Sequence, residues 1–439
     1  MNAQKKPPLL SGALQMLGRF ARSPAVDRYG LRKPAEKLLY TGSRSGFRLV
    51  TATSRAFGGG SKPSQSARLP HGANPKLFDL TPSEEQQMLR DAVQSFATEQ
   101  LRPAASAADM ACAIPDELLK QSAELGLSLI GVPEALGGAG TERSAISNVL
   151  VAEAMAHGDM SLAVACLAPT AVCTALVLWG DEQQQGDYLP AFVGEHAPAA
   201  ALALLEPRPL FDPFQLTTRA RAVDGGYVLD GVKSLVPRAA QCELFVVAAD
   251  LEGIGPALFV VESSTAGLSL EAEPAMGLRA ASTARLNLAG VKLPARARLT
   301  HDDDSYADCV QLSRLGWCAL AVGTAQAVLD YLTPYVNERV AFGEPISHRQ
   351  SVAFAIANMA IELEGMRLLT WRAASLAERG QPYAEQTALA RRLCADKGMV
   401  IGSDGVQLLG GHGFIKEHPA ERWYRDLRAV GVMEGVLLV

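Results

Sequence analysis

The periodicity of apolar residues changes twice along this chain, and the order of those changes constrains the fold more than any single motif. Helical spacing comes first, through Met88, Leu89, Ala92, Val93, Phe96 and Ala97. Thr81-Pro82-Ser83-Glu84 precedes it and predicts the helix start, with Thr81 as the hydroxyl N-cap and Pro82 at the first helical position. A second helix is expected from Pro115 to about Leu125, stopped by Gly126, and the Ala/Leu-rich residues 141–200 read as further helices. From about Ala201 to Leu299 the pattern becomes short β-type runs: Tyr227-Val228-Leu229, Leu244-Phe245-Val246-Val247 and Ala257-Leu258-Phe259-Val260-Val261. Turn residues such as Asp224-Gly225-Gly226 separate them. Helical periodicity returns near Tyr306, with long amphipathic stretches over Ala321–Asn337, Gln350–Glu378 and Tyr383–Leu409. Strands grouped between two helical regions predict a separate β domain, not alternating βαβ units, and the fold class α+β. No GxGxxG follows a strand, and there is no Walker A loop, HExxH or GxSxG.

The 439 residues suffice for two or three domains. The expected boundaries are a basic extension 1–57, a linker 58–77, an all-α domain 78–200, a β domain 201–300 and a helical domain 301–439. The net charge of −5 is unevenly spread: residues 1–70 hold 13 Lys/Arg against 2 acids, +11, which leaves −16 for the rest. That basic segment is open to three readings: a membrane- or partner-attachment helix with Leu10, Leu14 and Leu17 on one face, a transit peptide, or a loosely ordered tail. It lacks interleaved aromatics, so no nucleic-acid partner is expected. Residues 58–75 are rich in Gly, Ser and Pro and bury little apolar area. No uncharged stretch of 18 or more apolar residues is seen, so no transmembrane helix is expected. The 7 cysteines form no CxxC pair, which suggests neither metal nor disulfide framework and favours a reducing compartment. The expected location is cytoplasmic, at the inner face of the membrane if residues 1–57 attach there, or the mitochondrial matrix in a eukaryote.

Five segments over about 360 residues carry a resemblance. They are Leu125-Gly126-Leu127 with Val132-Pro133-Glu134-Ala135-Leu136-Gly137-Gly138; Met276-Gly277-Leu278-Arg279 leading to Val291-Lys292-Leu293-Pro294; Asn337-Glu338-Arg339-Val340-Ala341-Phe342-Gly343; Gln407-Leu408-Leu409-Gly410-Gly411-His412-Gly413; and Trp423-Tyr424-Arg425-Asp426 leading to Met433-Glu434-Gly435. In this order and spacing they resemble the acyl-CoA dehydrogenases. The resemblance implies an N-terminal helical domain, a middle β-barrel domain and a C-terminal helical bundle. It implies FAD as cofactor, a fatty acyl-CoA as substrate, electron-transferring flavoprotein as acceptor, and a homodimer or homotetramer. The family reaction removes the α-proton of the thioester and passes the β-hydrogen to flavin N5, so a carboxylate base in a dry site is needed. Glu434 holds the family's base position. Arg314 corresponds to an arginine near the thioester, although an exposed helical salt bridge is an equal reading of that residue. Arg339, Phe342, Gln407, Gly410 and Gly411 match positions that hold the flavin's diphosphate and adenine from a neighbouring subunit. Arginine suits phosphate and glycines allow close backbone approach, although Gly410-Gly411 also reads as a helix C-cap. His348 and His412 are expected to serve packing or the surface.

Three segments depart from the family pattern. Leu205-Glu206-Pro207-Arg208-Pro209-Leu210-Phe211-Asp212 lacks the usual glycines and hydroxyls, leaving Arg208 as a substitute donor, and Pro209 has no N–H. Lys233-Ser234-Leu235-Val236-Pro237 has Leu and Pro where the family has Trp and Thr. Val436 stands where a flavin-contacting Thr is usual, and the short apolar segment 436–439 is expected to leave Glu434 on a frayed stretch. These departures keep a second reading open: a homologue with weak or lost catalysis that binds acyl-CoA or a partner.

Overall fold

A computed structural model describes residues 80–139, 144–194, 197–299 and 305–439, so the expectations for residues 1–57 and 58–77 lie outside the described residues. Helix α1 (Glu84–Phe96) begins two residues later than the Pro82-based expectation, because Ser83 is the N-cap. Ser83 Oγ accepts from Gln86 N at 3.2 Å, and Gln86 Oε1 accepts from Ser83 N at 3.0 Å. That reciprocal pair satisfies two otherwise orphaned amides, which a proline at the first position does not do. One π turn links α1 to α2 (Arg102–Ala111), and α3 (Asp116–Glu124) follows.

Helices α4 (Ala145–Gly158), α5 (Met160–Trp179) and α6 (Glu182–Tyr188) complete the first region. The expectation that no uncharged span reaches bilayer length needs correction at α5. It carries no charged residue over 20 positions and its most apolar window has a mean hydropathy of 2.1, yet 89% of that window is buried inside the protein. A helix packed on nearly every side is apolar all round, so periodicity gives it no face. Asp159 caps α5, accepting from Leu162 N at 3.0 Å, and pairs with the buried Arg422 at 2.9 Å.

The middle region is one mixed sheet. Its strands are β1 (Ala200–Ala203), β2 (Arg219–Val223), β3 (Gly226–Val236), β4 (Leu244–Leu251), β5 (Gly255–Glu262), β6 (Leu268–Ala272), β7 (Ala284–Pro294) and β8 (Arg298–Leu299). The order is β6-β7-β3-β2-β4-β5-β8, and β1 runs parallel to β4, Ala201 opposite Phe245. The sheet curls until β3 and β7 face β4 and β5 across a second core built from Leu229, Phe245, Val247, Phe259, Leu286 and Val291. Tyr227 and Phe259 meet edge to face there at 5.2 Å. The expected barrel is thus a curled sheet in which β6 and β8 do not pair among the described residues.

Helices α7 (Ser305–Glu338), α8 (Gln350–Glu378), α9 (Ala384–Leu409) and α10 (Ala420–Leu427) form the last region, with a two-stranded hairpin, β9 (Val340–Ala341) and β10 (Glu344–Pro345), between α7 and α8. The fold class is α+β. α7 packs against α4, α8, α9 and α10. At its crossing with α4 only glycine fits, because a Cβ on Gly323 would lie 2.0 Å from Glu153 O.

A buried ion pair fixes the loop leaving β1 to the sheet. Lys233 Nζ donates to Glu206 Oε1 at 3.0 Å and to Leu204 O at 3.1 Å, with both side chains essentially unexposed. Glu206 also accepts from Thr217 N at 2.7 Å and Thr218 N at 2.9 Å. Burial pushes the Glu206 carboxyl up, but Lys233 and the threonine donors together outweigh it and hold it at about 2. Lys233 has fewer partners, so burial brings its ammonium down to about 8 against the pull of Glu206. Glu206→Ala leaves a buried cation unpaired and is expected to cost about 3–5 kcal/mol in denaturant unfolding. A carboxylate with a lowered folded pKa stabilises above its ordinary value of 4.5. The wild type is therefore expected to lose stability as pH falls from 4.5 toward about 2, with a shallower loss in the variant.

Candidate active site

Glu434 lies just beyond the 3₁₀ turn Arg428–Gly431 that ends α10, and it is 5% exposed. The chain turns sharply after it at Gly435, whose φ is +74°. A Cβ there would also sit 2.8 Å from Leu204 Cβ, so this contact between the C-terminal region and the end of β1 requires glycine. Two side chains one turn apart on α7 grip the Gly435 carbonyl: Ser313 Oγ donates at 3.0 Å and Trp317 Nε1 at 2.9 Å. Segment 436–439 is 2–4% exposed. The expectation of a frayed stretch is therefore wrong; apolar burial and these two hydrogen bonds hold it.

Arg314, beside Ser313 on α7, reaches the Glu434 carboxylate as a fork. Its Nε lies 3.1 Å from both oxygens and its Nη2 2.9 Å from Oε1. Arg391 of α9 adds a second guanidinium, with Nη2 3.1 Å from Oε1 and 2.8 Å from Met433 O. Burial pulls Arg391 below its usual range and Glu434 opposes that pull. Oε1 thus carries contacts from both arginines, whereas among the described residues Oε2 meets Arg314 Nε alone. Arg391 was missed in the sequence. The signal was its place beside Thr387, Ala390 and Cys394 on the buried face of α9, whereas its neighbour Arg392 has an 82% exposed side chain.

The other candidates gather elsewhere. Arg339, Phe342, Gln407, Gly410 and Gly411 are all exposed, Phe342 at 95%. Tyr335 ties the two segments together, its hydroxyl lying 2.9 Å from His412 Nδ1 and 3.4 Å from Leu409 O. His412 stacks on His418 at 5.0 Å, and His348 pairs with Glu344 at 3.4 Å on the surface. At 1.5 Å per residue, Arg339 stands about 37 Å along α7 from Arg314, and Gln407 about 24 Å along α9 from Arg391. One chain does not bring Glu434 and these residues together.

The exposed group combines a guanidinium with a glycine turn, donor types of the kind a diphosphate takes. Gly410 is the C-cap of α9, its N–H donating to Gln407 O, and a Cβ built on Gly410 or Gly411 meets nothing within 4 Å, so the outer side of this turn is open. Near Glu434, a cavity of about 140 Å³ opens between Leu235, Met276, Leu278, Arg428, Val432 and Met433. Leu235 there adopts a left-handed backbone, φ +51°, with its N–H given to Glu273 Oε2 at 2.8 Å. Arg208, the expected substitute donor, is engaged within its own loop. Its Nη2 donates to Asp212 O and Gln215 O, closing its own loop, and its guanidinium lies 5.5 Å from the Phe211 ring centre.

Comparison with known proteins agrees with this architecture. Three family models match in chain order: the acyl-CoA dehydrogenase N-terminal domain over residues 83–195, the middle domain over 201–291 and the C-terminal domain over 306–437. The short-chain specific acyl-CoA dehydrogenase of Rattus norvegicus mitochondria is 33% identical over 361 residues, 80% of this chain and 87% of that protein. Butyryl-CoA dehydrogenase of Megasphaera elsdenii superposes with a TM-score of 0.75 at 27% identity, covering 82% of this chain and 96% of that one. A glutaryl-CoA dehydrogenase of Mycobacterium smegmatis solved with FADH2 gives 0.74 at 25% identity, covering 81% and 92%. The chain belongs to the acyl-CoA dehydrogenase family, and is thus an FAD-dependent oxidoreductase of acyl-CoA thioesters.

The Gly435 carbonyl also accepts from Leu437 N at 3.0 Å, so removing the Trp317 donor leaves it to Ser313 and Leu437. Trp317→Phe is expected to cost about 0.5–1.5 kcal/mol, read by thermal unfolding, and to speed amide exchange over residues 433–439.

Proposed function

We propose that this chain carries out α,β-dehydrogenation of a fatty acyl-CoA, with Glu434 as the base that takes the α-proton. The observation that carries the reading is a buried carboxylate held from behind by Arg314 and Arg391 with one oxygen less engaged than the other. Oε2 is the atom that receives the proton, because Oε1 is committed to both guanidiniums. Arg314 and Arg391 fix the carboxylate's direction, and the Ser313 and Trp317 contacts fix the backbone it stands on. The low exposure of the pocket keeps water from competing for the proton. FAD, when bound, supplies the acceptor at N5 for the β-hydrogen as hydride.

Arg339, Phe342, Gln407, Gly410 and Gly411 would hold the diphosphate and adenine of FAD. Their separation from Glu434 supports a role at the flavin of a neighbouring subunit, with a homodimer or homotetramer as the functional unit. Phe354, Ile361 and Leu368 support a subunit contact, since they recur every seven residues on α8 and are 63%, 68% and 49% exposed. Electron-transferring flavoprotein is the acceptor this reading implies. The location is the cytoplasm, or the matrix in a eukaryote.

The second reading, an acyl-CoA- or partner-binding homologue with weakened catalysis, is favoured by the loop 205–212. Its prolines lack donors and Arg208 is turned inward. The visible spectrum under anaerobic addition of a saturated acyl-CoA separates the two: flavin bleaching supports the dehydrogenase, and a flavin-loaded protein that does not bleach supports the binding subunit. Glu434→Gln is expected to retain flavin and to lose bleaching by at least about a thousandfold in rate, within the range general-base removal covers; unchanged bleaching removes Glu434 from the role. In light scattering the flavin-loaded species is expected to be a dimer or larger, and a flavin-loaded monomer contradicts the shared site.

A further inference from the structure

Beyond Glu434 the chain enters an apolar cleft between α4, α5 and α7 and fills it. Leu437, Leu438 and Val439 pack there against Ile130, Val151 and Leu167. Leu437 and Val439 also lie over Gly316 of α7, where a Cβ would come within 3.2 Å of Leu437 Cβ and 3.5 Å of Val439 Cγ1. Leu437 follows Glu434 by three residues, and the Gly435 carbonyl between them is held by Ser313 and Trp317 of α7, so the cleft begins one short pinned segment from the carboxylate. The space left among these side chains is about 20 Å³. That is room for about one water and not for a run of methylenes.

An acyl group whose α-carbon sits at Glu434 must place its remaining carbons in an apolar environment. The cleft that adjoins the carboxylate offers one, but protein side chains already occupy it. An acyl chain of more than a few carbons would have to displace three buried apolar residues held by the Gly435 clamp. We infer that Leu437, Leu438 and Val439 are specificity-determining residues that fill the distal part of the acyl pocket and restrict the enzyme to short acyl-CoA thioesters. This deepens the proposed dehydrogenase reading and rests on it for the position of the α-carbon.

The test is binding, not turnover. FAD-loaded full-length protein is titrated calorimetrically with non-oxidisable 3-thiaacyl-CoA thioesters of butanoyl, octanoyl and dodecanoyl length. Wild type is expected to bind the short probe at least about tenfold more tightly than the long ones. The double variant Leu437→Ala/Leu438→Ala is expected to abolish or reverse that preference, and Leu438→Ala alone to reduce it by about threefold. The single variant decides the matter if the double one does not fold. Equal binding of all three probes by wild type overturns the inference. So does an unchanged preference in a folded variant, or the absence of binding by any probe. Because sulfur at position 3 leaves no β-hydrogen to pass on as hydride, the titration reads binding and not turnover. A failure here leaves the bleaching test of the dehydrogenase intact.

Discussion

The structure is organised around the burial of α7. This helix has 34 residues, about 51 Å at the standard rise, and most of its length is enclosed by α4, α8, α9, α10 and the segment 436–439. Close packing on so many sides demands small residues at crossings, as Gly316 and Gly323 show. It also makes the helix a rigid ruler. Ser313, Arg314 and Trp317 stand toward one end and hold Gly435 and Glu434; Tyr335 stands at the other and bonds Leu409 O and His412 beside the Gly410-Gly411 turn. A stiff element of that length keeps Glu434 and the Gly410-Gly411 turn apart within one chain.

Charges buried near the functional region serve geometry more than stability. Glu434 lies between two guanidiniums, and Glu206 lies with Lys233 under the loop leaving β1. Taking such groups out of water offsets much of what their attraction contributes. What they provide is direction: planar forks at Glu434 fix which oxygen is engaged, and the Glu206 contacts fix where residues 204–218 run. Leu204, at the end of β1, touches Gly435 directly, so the sheet and the carboxylate segment are positioned against each other through one glycine.

The segments that depart from the family pattern are ordered through their own contacts. Arg208 caps carbonyls of its own loop, and Leu235 accepts a left-handed backbone because Glu273 takes its amide. Segment 436–439 is packed as tightly as the core. The departures are therefore accommodated without loosening the fold, so spectroscopy rather than stability is the informative measurement for catalysis.

The amino-acid order alone was enough to read helices, sheet and helices, since periods of 3.6 and 2 residues are local properties. Long elements such as α8 and α9 were legible nearly to their ends, and the motifs around Glu434, Arg339 and Gln407 were legible as short patterns. The start of α1 was misplaced because Pro82 is a weaker signal than the reciprocal Ser83–Gln86 bonds, which depend on side-chain rotamers. α5 concealed its role because a helix buried on all sides has no amphipathic face to read. Only tertiary structure decided that Arg391 meets Glu434, that Arg208 turns inward, that Glu434 and the Gly410-Gly411 turn lie far apart, and that residues 437–439 fill a cleft. Each joins positions distant in the chain, and such pairings are set by packing in three dimensions, which no local periodicity encodes.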